Sequence, residues 1–308
     1  MPTSDSISYD TLDDLHRDAL FHAISNVLAT DLALTTYAQI IDGLPVANVA
    51  WDQYSSKIHR RHPVNDHVGL CPGALDRTKE FRVDFDIKSL RFSPALLRAF
   101  ESAPSPSTRA FGLRLIELTA SALHQIAVLL LQLDLCMHDR STTRGLDIQS
   151  VTLWEPGQNP FARVVPDPTL FAHPHFMAQE QYPDGLADVV GYWAENRILG
   201  GVVLFDRSQD WEHDKEPNDA LLGFLQNPDG KTTTCPLPIL PTSNNRERID
   251  PWDAIPVHKV YRDPWEREPP RKRLRMQEFM GRDVISSLDF PEYDVDEELK
   301  SLRERFPP

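Results

Sequence analysis

The residues best suited to chemistry in this chain are histidines, one nearby thiol and a few paired carboxylates. His59, His62, His67 and Cys71 follow the spacing His-x2-His-x4-His-x3-Cys. Imidazole and thiolate groups so close in sequence are zinc-ligand types. Yet the spacing fits no established zinc motif, and Arg60 and Arg61 place two positive charges beside it. The competing account is a proline-broken loop with solvated histidines, so the expectation is that no metal is bound. His173 and His175 flank Pro174. Two such imidazoles can chelate from an extended chain, but no neighbouring thiol or carboxylate completes a site.

Carboxylates offer acid–base chemistry. Asp84 and Asp86 lie two apart in Phe81-Arg-Val-Asp-Phe-Asp-Ile-Lys88, a strictly alternating stretch that predicts a half-buried strand. On a strand both would project from one face, able to share a proton or hold a divalent cation. Arg82 and Lys88 share that face, so an ordinary charged solvent face explains it more simply. Glu195 and Asp206 fall at the strand ends of a hairpin expected over 187–206, beside Arg197 and Arg207, where an ion pair closing a turn competes with a functional role. No Gly-x-Ser-x-Gly elbow, phosphate-binding glycine loop, dinucleotide glycine fingerprint or His-Glu-x-x-His occurs. No cofactor is expected.

These side chains need elements to hold them. Leucines and other aliphatic residues recur at three- and four-residue steps over 11–41, which predicts a helix, and a second is expected over 46–60. Residues 61–80 carry Pro63, Gly69, Pro72 and Gly73 and read as a loop. A long helix over about 108–138, nearly all apolar in its second half, is the expected core helix; its apolar run is too short for a membrane span. Residues 156–183 hold six prolines and read as loop, and a short helix is expected at 218–226. The fold class expected is α+β, with helices packed on a small, mostly antiparallel sheet. The expected boundaries are a domain over 8–226, a proline-rich arm over 227–270 and a basic-then-acidic tail over 271–308.

The chain has 308 residues, 41% hydrophobic and 25% charged, with a formal net charge of −14. That acidity argues against direct binding to nucleic acid or to an anionic membrane. Three cysteines at long spacings imply no disulfide framework. The N-terminal stretch lacks the positive charge and apolar run of a signal peptide, so an intracellular protein, nuclear or cytoplasmic, is expected.

Several stretches are similar to one family. They include Ala122-Leu-His-Gln-Ile-Ala127, Ala187-Asp-Val-Val-Gly-Tyr-Trp-Ala-Glu195, Gly200-Gly-Val-Val-Leu-Phe-Asp-Arg207, Arg248-Ile-Asp-Pro-Trp-Asp-Ala-Ile255 and Tyr261-Arg-Asp-Pro-Trp-Glu-Arg267. Together they resemble a family of uncharacterised proteins from filamentous ascomycete fungi. The resemblance spans about 40–280 and brings no activity with it; it implies a fungal source and an intracellular protein. It also implies a further β-rich segment after Asn218, which this chain lacks.

The tail suggests a partner. Arg271, Lys272, Arg273 and Arg275 form a basic cluster behind Pro269 and Pro270, the composition of a nuclear-import signal. Pairing with the protein's own acidic face is the competing account. Residues 283–298 carry seven acids interleaved with Val284, Ile285, Leu288, Phe290, Tyr293 and Val295. Such a segment either folds on a protein partner or packs as a terminal helix. The function expected is a non-enzymatic intracellular interaction or regulatory protein. The alternative is a tailoring or hydrolytic enzyme of fungal specialised metabolism.

Overall fold

The computed structural model describes residues 6–54, 62–135, 137–138, 169–173, 176–177, 179–205, 219–227 and 234–240. These residues are mostly helical, with one two-stranded antiparallel sheet, a composition compatible with α+β. The helices are α1 (Asp14–Leu28), α2 (Asp31–Asp42), α3 (Ala47–Tyr54), α4 (Ala74–Asp84), α5 (Pro94–Glu101), α6 (Arg109–Gln132), α7 (Leu186–Leu199) and α8 (Asp219–Leu225). Strands β1 (Ile7–Ser8) and β2 (Arg91–Phe92) pair Ile7 with Phe92 and Ser8 with Arg91.

α6 is the axis of the body, packed against α1, α2, α5 and α7. Leu115, Leu118, Leu123, Ile126 and Leu130 on it are buried with Leu20 and Ile24 of α1 and Trp193 and Ile198 of α7. By length and composition α6 could cross a membrane, but 67% of its most apolar window is buried inside the protein, as a core helix requires. A smaller apolar cluster, Leu44, Ala50, Val64, Ala172 and Val189, lies beside the α2–α3 corner.

The helical stretch expected over 11–41 is two helices. Thr30 ends the first and caps the second, its hydroxyl accepting the Ala33 N–H at 3.1 Å. Such a cap satisfies one of the unpaired donors at a helix start. The helix expected over 46–60 is observed as α3, and 55–61 lie outside the described residues. The predicted loop 61–80 gives way to α4 from Ala74.

Two strand assignments are corrected. Residues 81–84 belong to α4, and a 3-10 turn follows at Ile87–Ser89. The alternation that suggested a strand also places Phe81 and Phe85 four apart, and their rings stack at 5.1 Å. Val83, expected inside, is 80% exposed. The hairpin expected over 187–206 is α7 through Leu199. Its β-branched and aromatic residues are buried on nearly every side, and packing outweighs their modest helix propensity. Asn196 and Arg197, at the middle of that expected hairpin, lie inside the helix, which stops at Gly200 with φ +87°.

Candidate metal centre

Four side chains converge where α2 ends. Asp42 is the last residue of α2, which terminates at Gly43 in the left-handed conformation with φ +90°. His67 closes the 3-10 turn Pro63–Asp66, and Cys71 follows on the loop before α4. His138 comes after α6, and its chain is held to the end of α2: Met137 N–H donates to the Ile41 carbonyl at 3.2 Å and His138 N–H to the Asp42 carbonyl at 2.8 Å. The potential ligand atoms of Asp42, His67, Cys71 and His138 all lie within 4.8 Å of one another.

The hydrogen bonds of the cluster fix its chemistry. His67 Nδ1 lies 2.9 Å from the Pro45 carbonyl, which can only accept, so Nδ1 carries a proton. Its other nitrogen, Nε2, is 3.1 Å from Asp42 Oδ2. With Asp42 ionised, as its lowered pKa has it, a neutral ring would aim a lone pair at the carboxylate, so the contact calls for a second proton on the ring or a metal ion there. Asp42 is fully buried, sits at the negative end of the α2 dipole and leaves Oδ1 with no hydrogen-bond partner. Each of these is unfavourable for a carboxylate unless a cation is near. Oδ2 also accepts the Cys71 N–H at 2.9 Å. Cys71 Sγ is 3.3 Å from His138 Nδ1, and the His67 and His138 rings meet edge to face with centroids 4.7 Å apart.

Electrostatics point the same way. Burial pushes the Asp42 carboxyl upward, but its bonds to His67 and Cys71 outweigh this and hold it below the ordinary aspartate value. Burial disfavours a charged His67, yet Asp42 and the Pro45 carbonyl raise its pKa above the ordinary histidine value. The donors are two nitrogens, one sulfur and one carboxylate oxygen, a set that suits zinc. Zinc bonds of about 2.0–2.3 Å give tetrahedral edges of roughly 3.3–3.6 Å, close to the 3.3 Å between Cys71 Sγ and His138 Nδ1. The Pro45 carbonyl orients His67 as outer partners of zinc-bound histidines do.

Of the four ligands considered in the sequence, His67 and Cys71 stand in the cluster. His62 is buried, but its Nδ1 accepts the Val64 N–H and caps the turn before His67. His59 lies outside the described residues. The sequence reasoning missed Asp42 and His138. A usable signal for the first is an acid directly before the glycine that ends an apolar helix. For the second it is Cys136-Met137-His138 just past the core helix.

The carboxylate candidates do not converge. Asp84 and Asp86 are both exposed; Asp84 ends α4, and Asp86 caps the 3-10 turn by accepting the Lys88 N–H at 3.0 Å. This removes the shared strand face expected for the pair. Glu195 is fully buried in α7, and its Oε1 accepts the Val203 N–H at 2.7 Å. Its Oε2 is 4.0 Å from Nδ1 of His124, whose Nε2 is 2.9 Å from Asp188 Oδ1. This network ties α6 to α7 and to the chain after α7. Asp206, His175, Arg271, Lys272, Arg273 and Arg275 lie outside the described residues.

Comparison with known proteins finds no matching family model, no matching curated protein and no matching solved structure.

Proposed function

We propose that this chain is a zinc-stabilised, non-enzymatic interaction protein. The observation that carries the proposal is the convergence of Asp42, His67, Cys71 and His138 within 4.8 Å, with Asp42 Oδ1 buried and unpartnered. Four protein ligands close a tetrahedral shell, which is the arrangement of structural zinc; catalytic zinc keeps one position for water or substrate. The ion joins the end of α2, the 62–73 loop and the chain after α6. It acts as a cross-link between segments distant in sequence. The zinc expectation replaces the metal-free one reached from local spacing alone.

The interaction role has its own support. An open groove of about 460 Å³ runs between α1 and the chain after α4, with Tyr9, Phe21, Leu28, Phe85 and Ile87 among its lining. Phe21 is 45% exposed there. A protein partner for the tail and nuclear entry through the basic cluster at 271–275 remain part of the proposal.

Cobalt substitution tests both halves. Co²⁺ bound to one thiolate and three N/O ligands should give the intense visible bands of a tetrahedral site and a thiolate charge-transfer band. Azide should leave that spectrum unchanged. A spectrum shifted by azide would reveal an open position and favour the enzyme alternative. No tetrahedral spectrum at all would defeat the metal assignment.

A further inference from the structure

We infer that the metal centre is peroxide-sensitive, with Cys71 as the ligand whose oxidation releases the ion. The inference rests on the metal reading above and adds its regulation. All four groups are buried within the cluster, but Cys71 taken as a whole residue is half-buried, whereas Asp42, His67 and His138 are buried throughout. Cys71 stands on a surface loop in which Val68, Gly69, Pro72 and Gly73 are exposed, and the space around the Gly69 Cα is open. This loop is therefore the side of the cluster nearest to solvent, and the side from which a small oxidant would reach the sulfur.

The chemistry follows from the ligand type. A thiolate is the one donor of the four that a mild two-electron oxidant attacks readily. Hydrogen peroxide is the class of oxidant required. The Cys71 sulfur attacks one peroxide oxygen, the S–O bond forms as the O–O bond breaks, and hydroxide leaves and takes up a proton as water. Sulfur loses two electrons and peroxide gains them. The sulfenic acid formed is a poor zinc ligand, and three ligands then hold the ion less firmly. Loss of the ion frees His138 from Cys71 and loosens the loop that carries His67 and Val64, the latter part of the smaller apolar cluster. Reduction of the sulfenic acid by a thiol restores the ligand, so the response is reversible.

The test uses the full-length chain loaded with zinc, treated with hydrogen peroxide in the presence of a chromogenic zinc indicator and a sulfenic-acid trap. The expected result is release of about one zinc per chain in step with trapping at Cys71. The same release is expected when Cys136 and Cys235 are both changed to alanine. Cys71→Asp keeps an anionic donor and should hold zinc through the same treatment. Should Cys71→Asp take up no zinc, site-resolved mass spectrometry of the wild type decides. Zinc retained with Cys71 unmodified, or release that tracks modification elsewhere, overturns this inference and leaves the metal reading standing. A chain that never takes up zinc overturns both.

Discussion

Asp42 Oδ2 and His67 Nε2 lie 3.1 Å apart with almost no access to water, their side chains 0% and 4% exposed. Removing one partner of a buried pair strands the other, at a cost of about 3–5 kcal/mol. Asp42→Ala should therefore lower the melting temperature strongly. If zinc stands in place of a proton between the two, a chelator should destabilise the wild type and add nothing further to the variant. Thermal melts of both proteins with and without chelator check this. Equal chelator effects on the two would remove Asp42 from the ligand set.

Glu195 is the second buried acid with a defined task. It accepts the Val203 N–H at 2.7 Å and lies near His124. Glu195→Ala leaves the Val203 N–H without that acceptor, while His124 keeps its bond to Asp188, and should cost about 1–3 kcal/mol by denaturant unfolding. Glu195→Gln keeps an acceptor oxygen and should cost distinctly less. A neutral Glu195→Ala would mean the chain after α7 does not depend on this bond.

Gly200 and Gly201 are adjacent and should respond oppositely to alanine. Gly200 has φ +87°, and a Cβ there would stand 2.3 Å from the Ile239 carbonyl oxygen, a backbone atom that cannot swing aside. Gly200→Ala should cost about 2–4 kcal/mol from strain and displacement. Gly201 meets nothing within 4 Å, so Gly201→Ala should change stability by less than about 0.5 kcal/mol. Similar losses for both would show that the 234–240 segment does not pack on the end of α7.

Asp13 caps α1, its carboxylate accepting the His16 N–H at 3.0 Å and meeting the His16 ring at 2.8 Å. The backbone bond from His16 is the first cause, and the ring bond the second, of a carboxyl pKa below the ordinary value. A lowered folded-state pKa contributes stability above the unfolded value, and that contribution disappears as pH falls through the folded one. Asp13→Ala should cost about 1 kcal/mol at pH ~5. The gap between the two proteins should close as the pH drops below about 4. A gap that persists in acid would assign the loss to packing instead of charge.

Local patterns were legible in the sequence and distant convergence was not. The core helix around 108–138 and the short helix at 218–226 follow from apolar periodicity and match α6 and α8 in place and type. Residues 81–88 and 187–199 misled because alternation and β-rich composition are weak where burial decides. Phe81 and Phe85 satisfy a strand face and a helix face equally, and α7 is buried on most sides. Half of the candidate site was visible as His67 and Cys71. Asp42 precedes His67 by 25 residues and His138 follows Cys71 by 67, so the packing of α2 against α4 and α6 is what brings them together.

X-ray absorption at the zinc edge of the purified full-length chain counts the ligands of the site. Ligation by Asp42, His67, Cys71 and His138 should give one sulfur at about 2.3 Å and three nitrogen or oxygen neighbours at about 2.0–2.2 Å. A shell of light atoms with no sulfur, or a chain that retains no zinc to measure, would contradict it.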